Sequence, residues 1–84
     1  MGELSFERIK EVLADVFSIS PEQIKLDSTP DTIETWDSIH HVNMVIALEQ
    51  EFGIGFSPEE IEQLFSVERV WRLTSEKVYE EGRR

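Results

Sequence analysis

The chain has 84 residues, no cysteine, and 18 acidic against 8 basic side chains, a formal charge of −10 at pH 7. That length makes one domain with a small core, and the missing thiol excludes a disulfide framework, a thiolate metal site and a cysteine nucleophile. The charge excludes nucleic acid as a partner, because such binding is driven by cationic side chains, and it disfavours anionic membrane surfaces. It favours protein partners with basic docking faces, reached by electrostatic steering. Apolar runs are only a few residues long, and the start of the chain lacks a signal-peptide pattern. The expectation is a cytoplasmic monomer, with no membrane insertion and one domain over residues 1–84, the first and last three frayed.

Phe6, Ile9, Val12, Leu13, Val16 and Phe17 recur at three- and four-residue spacing and predict a first amphipathic helix over residues 4–17, with Ser5 a candidate cap. A polar stretch, residues 18–35, follows. Within it Ser20-Pro21-Glu22-Gln23 is a capping-box pattern and predicts one helical turn. Ile19, Ile24, Leu26 and Ile33 are spaced too irregularly for a helix and read as anchors that hold the loop on the core. Trp36 reads as a further anchor.

The second helix is predicted over residues 38–52, with Gly53 as its C-cap. At about 100° per residue, Met44, Val45, Leu48 and Phe52 form one arc, and Ile39, Val42 and Ile46 an adjoining one. Glu49 falls inside the second arc, and a charge there argues against full burial. The first arc is therefore assigned to the core and the second to a partly exposed patch. Ser57-Pro58-Glu59-Glu60 is another capping box and opens a short third helix to about residue 64. Ser66 caps a last helix whose apolar face holds Val67, Val70, Trp71, Thr74 and Val78, with Gly82 as its stop and Arg83-Arg84 as a basic tail. The fold class is all-α: a small up-down bundle of three principal helices plus the short third one.

Thr35-Trp36-Asp37-Ser38-Ile39 marks the passage from the long loop into the second helix. A hydroxyl there faces the positive end of the helix dipole, where unpaired N–H groups stabilise an attached phosphate ester. Taken alone, the dipeptide Asp37-Ser38 reads as a helix cap. His40 and His41 stand near Ser38 in sequence but point away from it, and neither has an evident orienting carboxylate, so a self-contained triad is not expected. His40 reads as a surface residue and His41 as partly buried. Adjacent histidines diverge on a helix, and no metal site is expected.

Asp37-Ser38-Ile39, then Val42, then Ala47-Leu48-Glu49-Gln50-Glu51-Phe52-Gly53-Ile54, then Phe56-Ser57-Pro58-Glu59-Glu60-Ile61, resembles the acyl carrier protein family. The resemblance implies a non-enzymatic carrier with 4'-phosphopantetheine on Ser38 and acyl groups held as thioesters on its thiol. It implies that a phosphopantetheinyl transferase, using coenzyme A and Mg²⁺, loads the group, with Asp37 as the preceding acid of the motif. Ile39, Val42 and Ile46 then match the family's apolar docking positions. Glu49, Glu51 and Glu59 are acids offered to the basic faces of acyl-loading and acyl-processing enzymes. Val42, Val45, Leu48, Phe56 and Ile61 would line an acyl-chain pocket between helices. His40 and Asn43 stand where the fatty-acid type has acids, and Glu34-Thr35-Trp36 replaces the glycines usual in peptidyl carriers. These departures suggest a specialised stand-alone carrier, in fatty-acid, polyketide or related secondary biosynthesis. The alternatives are an aminoacyl or peptidyl carrier and an unmodified acidic interaction module.

Overall fold

The computed structural model describes residues 4–81, so the expected frayed ends, the stop at Gly82 and the tail Arg83-Arg84 lie outside the described residues. Its elements are α1 (Phe6–Phe17), a 3-10 turn (Pro21–Gln23), α2 (Ser38–Phe52), α3 (Pro58–Ile61) and α4 (Val67–Glu81). No strand occurs among the described residues, and the fold is an all-α bundle.

Each helix starts where a short polar side chain takes an orphan N–H. Ser5 Oγ accepts from Glu7 N–H at 3.2 Å and opens α1. The helix begins at Phe6 rather than residue 4 because Leu4 is held elsewhere. Its N–H donates to Ser75 Oγ at 3.0 Å, and its carbonyl accepts from Trp71 Nε1–H at 2.6 Å. Both expected capping boxes form, at Ser20 with Gln23 and at Ser57 with Glu60. Ser66 Oγ accepts from Arg69 N–H at 3.1 Å at the start of α4. Gly53 ends α2 in the left-handed region (φ 66°), a conformation glycine adopts without a side-chain clash. The third helix ends at Ile61, short of residue 64. Its last carbonyls are taken by tighter turns, with Gln63 N–H donating to the Glu60 carbonyl at 3.0 Å and Leu64 N–H to the Ile61 carbonyl at 3.2 Å.

The long loop is pinned by both side chains and backbone. Ile24, Ile33 and Trp36 are buried in one core cluster with Leu13, Phe17, Leu48 and Val70. Leu26 departs from expectation: its side chain is 43% exposed. Its backbone makes the anchor instead. The Leu26 carbonyl accepts from Glu68 N–H at 3.1 Å and the Ser28 carbonyl from Val67 N–H at 3.0 Å, so the loop caps α4. Thr35 Oγ1–H donates to the Phe17 carbonyl at 2.7 Å and ties the loop's end back to the end of α1. This fixes where α2 begins.

On α2, His41, Met44, Val45 and Leu48 are buried, while Ile39, Val42 and Ile46 are exposed. Phe52, assigned to the core from its spacing, is only half-buried. It lies at the helix end, where the Arg8 guanidinium sits 5.2 Å from its ring centroid and pairs with Glu51 at 2.9 Å.

Candidate functional site

Asp37 is the N-cap of α2. Its Oδ1 accepts from His40 N–H at 2.9 Å and from His40 Nδ1–H at 2.7 Å. These two bonds, the backbone one first, hold the Asp37 carboxyl below the usual carboxylate range. His40 therefore does have a carboxylate partner, against the sequence expectation, because the spacing of three residues brings its ring back over the cap. The first intrahelical bond is His41 N–H to the Asp37 carbonyl at 2.8 Å. The N–H groups of Ser38 and Ile39 precede it and face out of the helix end.

Ser38 is the first residue of α2 and is exposed. Among the described residues its hydroxyl is joined to neither histidine: the His40 ring is bonded to Asp37, and the His41 ring to Trp36 and the Ile61 carbonyl.

His41 lies about 60° round the helix from Ser38, on the same side, which corrects the expectation that it points away. It is buried and used at both ring nitrogens. Trp36 Nε1–H donates to Nδ1 at 3.0 Å, so the proton sits on Nε2, which donates to the Ile61 carbonyl at 3.0 Å. One face of the ring is stacked on Phe65 at 4.3 Å between centroids and 1° between planes. Trp36 is stacked in turn on Phe17 at 5.0 Å. A continuous row thus runs from α1 through the loop and α2 to the α3–α4 turn.

Beside Ser38 this row forms the wall of an open pocket of ≈ 360 Å³, lined by Pro30, Trp36, Asp37, Ser38, His41 and Phe65. Phe65 is 49% exposed there. Sequence reasoning did not bring His41, Phe65 and Pro30 to Ser38. The spacing of Ser38 and His41 could have signalled the first. Phe65 lies in a turn outside any helical period, and nothing local marks it.

The other candidate residues fall into two groups. Ile39, Val42 and Ile46 share an exposed side of α2, and Glu59 is exposed on α3. Glu49 is half-buried, and its Oε2 accepts from Phe56 N–H at 2.8 Å, so the acid in the apolar arc holds the α2–α3 connection. Val45, Leu48 and Phe56 are buried and Ile61 is half-buried. None of these four lines the pocket at Ser38. Among the described residues no group of His, Asp or Glu is arranged to hold a metal ion, and no helix is long and apolar enough to cross a membrane.

Residues 7–72 match the family model described as a phosphopantetheine attachment site. The chain is 35% identical over 74 residues to an acyl carrier protein of Petrotoga mobilis, covering 87% of this chain and 86% of that one. The chain belongs to the acyl carrier protein family. It is also 33% identical over 72 residues to an acyl carrier protein of Thermosynechococcus vestitus, covering 86% and 89% of the two chains. Its fold matches the solution structure of a holo acyl carrier protein from Geobacter metallireducens with a TM-score of 0.85, at 22% identity, over 94% and 91% of the chains. As a family member it is a carrier rather than a catalyst, and its prosthetic group is covalently attached 4'-phosphopantetheine. The family works with phosphopantetheinyl transferases and with biosynthetic enzymes.

Proposed function

We propose that Ser38 carries the 4'-phosphopantetheine and that this chain delivers acyl groups to enzymes of fatty-acid, polyketide or related secondary biosynthesis. The observation that carries the reading is an exposed hydroxyl at the first position of α2, beside two helix-end N–H groups. Such a helix end favours a phosphodiester through its dipole and its N–H donors. The residues fit the group: Ser38 Oγ has an open approach, and Asp37 keeps its carboxylate occupied on His40. When bound, the group supplies a long arm ending in a thiol on which acyl groups ride as thioesters.

The chain's own residues then have separate tasks. Ser38 Oγ is the acceptor: on a transferase that brings its own base and Mg²⁺, it would give up its proton to that base and bond to the pantetheine-bearing phosphorus of coenzyme A, as the pyrophosphate P–O bond breaks and adenosine 3',5'-bisphosphate leaves. Asp37 fixes the helix start through its cap. Ile39, Val42 and Ile46 form an apolar docking face, with Glu59 and Glu51 as acids for basic partner surfaces. The absence of an acid in the first turn of α2, where His40 stands, favours a specialised carrier over a housekeeping one.

Intact mass after incubation with a broad-specificity transferase, coenzyme A and Mg²⁺ tests this. The expected result is the gain of one phosphopantetheine, absent in Ser38→Ala. No gain with several transferases would overturn it in favour of an unmodified interaction module.

A further inference from the structure

We infer that the pocket walled by Trp36, His41 and Phe65 is a resting site for the near half of the phosphopantetheine arm. The inference rests on Ser38 as the attachment point. The pocket's position is the first argument. Ser38 itself lines it, so an arm on Ser38 starts at its rim and needs no partner to bring it there. A short flexible tether raises the effective concentration of the attached group to about the millimolar range, so even a weak site is occupied for much of the time.

Size and chemistry are the second argument. At ≈ 360 Å³ the pocket falls in the range of about 300–1,000 Å³ typical of small-molecule sites. Beyond its phosphate the arm carries two geminal methyl groups, a hydroxyl and two flat amides. Methyls and amide planes pack on aromatic faces. Phe65 has one face on His41 and remains half exposed, and Pro30 adds a rigid apolar wall. Asp37 stands at the rim, and with its Oδ1 taken by the two bonds to His40 its Oδ2 is the acceptor for the arm's hydroxyl or amide N–H.

Preorganisation is the third. Trp36 and His41 are buried and locked to each other and to Ile61, so the floor does not have to be ordered on binding. Their polar atoms are already satisfied, which leaves stacking and apolar contact as what the floor offers. A group that settles there shields the near half of the arm while its thiol end stays outside. A docking enzyme would therefore have to lift the arm from Phe65 before drawing the cargo into its own site.

Proton NMR of the loaded protein tests the site directly. In the wild type the two geminal methyl resonances, already distinct in free coenzyme A, should move further apart and upfield of their free positions, through ring currents, with through-space contacts to Phe65 and Trp36. Phe65→Leu keeps an apolar side chain but removes the ring, and should return both methyls most of the way to the free positions. The Trp36 indole N–H resonance, set by its bond to His41, should stay in place in that variant and report an intact floor. Wild-type methyls already at the free positions would overturn the site, as would contacts from the thiol end alone, which would assign the pocket to the cargo. A chain that gains no mass on attempted loading would instead overturn Ser38 as the attachment point.

Discussion

The two sides of α2 are both apolar, yet they have opposite fates. Met44, Val45 and Leu48 are at most 5% exposed, whereas Ile39 is 70%, Val42 54% and Ile46 46% exposed. Residue type does not separate them, since both sides are built from aliphatic side chains. What separates them is the surroundings. The buried side packs on α1 and shares one core cluster with the pinned loop and Val70 of α4, and His41 reaches the end of α3, whereas the other side is left uncovered among the described residues. A small single-domain protein gains from burying aliphatic side chains, at roughly 25 cal/mol per Å². Three of them nevertheless stand in water on the side of α2 that carries Ser38, and on the reading proposed above they form its docking face.

The largest expected effect comes from placing a charge on each side in turn. Leu48→Glu puts a carboxylate into a fully buried site at a cost of several kcal/mol, a large part of the roughly 5–15 kcal/mol that holds such a domain. It should not give a cooperative thermal transition. Ile46→Glu should change stability by about 0.5 kcal/mol or less while weakening association with an acyl-processing enzyme about tenfold, or ~1.4 kcal/mol. Thermal melts and a binding titration on both variants check the contrast. Equal damage to the two melts would break it.

His41 is the polar member of the buried side, and its removal sharpens the comparison. His41→Ala leaves Trp36 Nε1–H without its acceptor and the Ile61 carbonyl without its donor. Each buried unpaired group costs about 1–3 kcal/mol, and the Phe65 stack is lost as well. A destabilisation of about 2–4 kcal/mol is expected from urea unfolding, with the Trp36 emission altered in the native baseline. A change below ~0.5 kcal/mol would mean that the row from Trp36 to Phe65 carries little of the fold.

How much of this was legible in the sequence differs between the same two sides. The bounds of α2, its cap at Gly53 and the division into two arcs follow from spacing and local caps, which depend only on neighbours in sequence. The interior partners of the buried side do not. His41 reaches back across the start of α2 to Trp36, five residues earlier, and to Ile61 through a non-local contact, and Phe65 meets it from a segment with no period. Glu49 misled in an informative way. Its place in the exposed arc suggested nearby water, yet its carboxylate is used on Phe56 N–H. Leu26 shows the converse, since a hydrophobic residue in a loop can hold the chain through its carbonyl while its side chain stays out.

Acid should loosen the start of α2, where the two sides begin, without touching the buried arc. The Asp37 carboxyl is held below its ordinary value by the His40 backbone N–H and then the His40 ring. Glu60 is lowered first by Lys77 and then by the Ser57 N–H. A depressed folded pKa gives stability that is complete above the unfolded value, near ~4, and is lost as pH falls through the folded value. The direction is opposite to the raised values that crowding of acids at −10 would suggest; in both cases a local hydrogen bond prevails. Urea midpoints for the wild type and Asp37→Asn should therefore differ more at pH 6 than at pH 2.5. A gap that does not narrow in acid would remove the charged cap from the account.

The smallest effect on stability, and the most specific to function, is expected at His40. It stands in the first turn of α2, where no acidic residue is present to meet a basic partner. His40→Asp gives up the ring bond to Asp37 and sets two carboxylates side by side. Against that, the helix dipole favours an acid in the first turn by about 0.3–1 kcal/mol. These terms nearly cancel, so the melt should move little. Association should not be so balanced. The variant, alone or with Asn43→Glu, adds negative charge close to Ser38, and an approaching basic surface responds to the field before any contact forms. With a transferase or ketosynthase adapted to ordinary fatty-acid carriers, the association rate should rise several-fold at low salt. The gain should shrink as ionic strength rises and the screening length falls to about 8 Å at 0.15 M. Stopped-flow association at low and high salt, on wild type and variants with one enzyme, measures it. If the wild type already associates as fast as an ordinary fatty-acid carrier, or the variants gain nothing at low salt, then His40 does not tune partner choice. The exposed side of α2 would then act through its apolar residues alone.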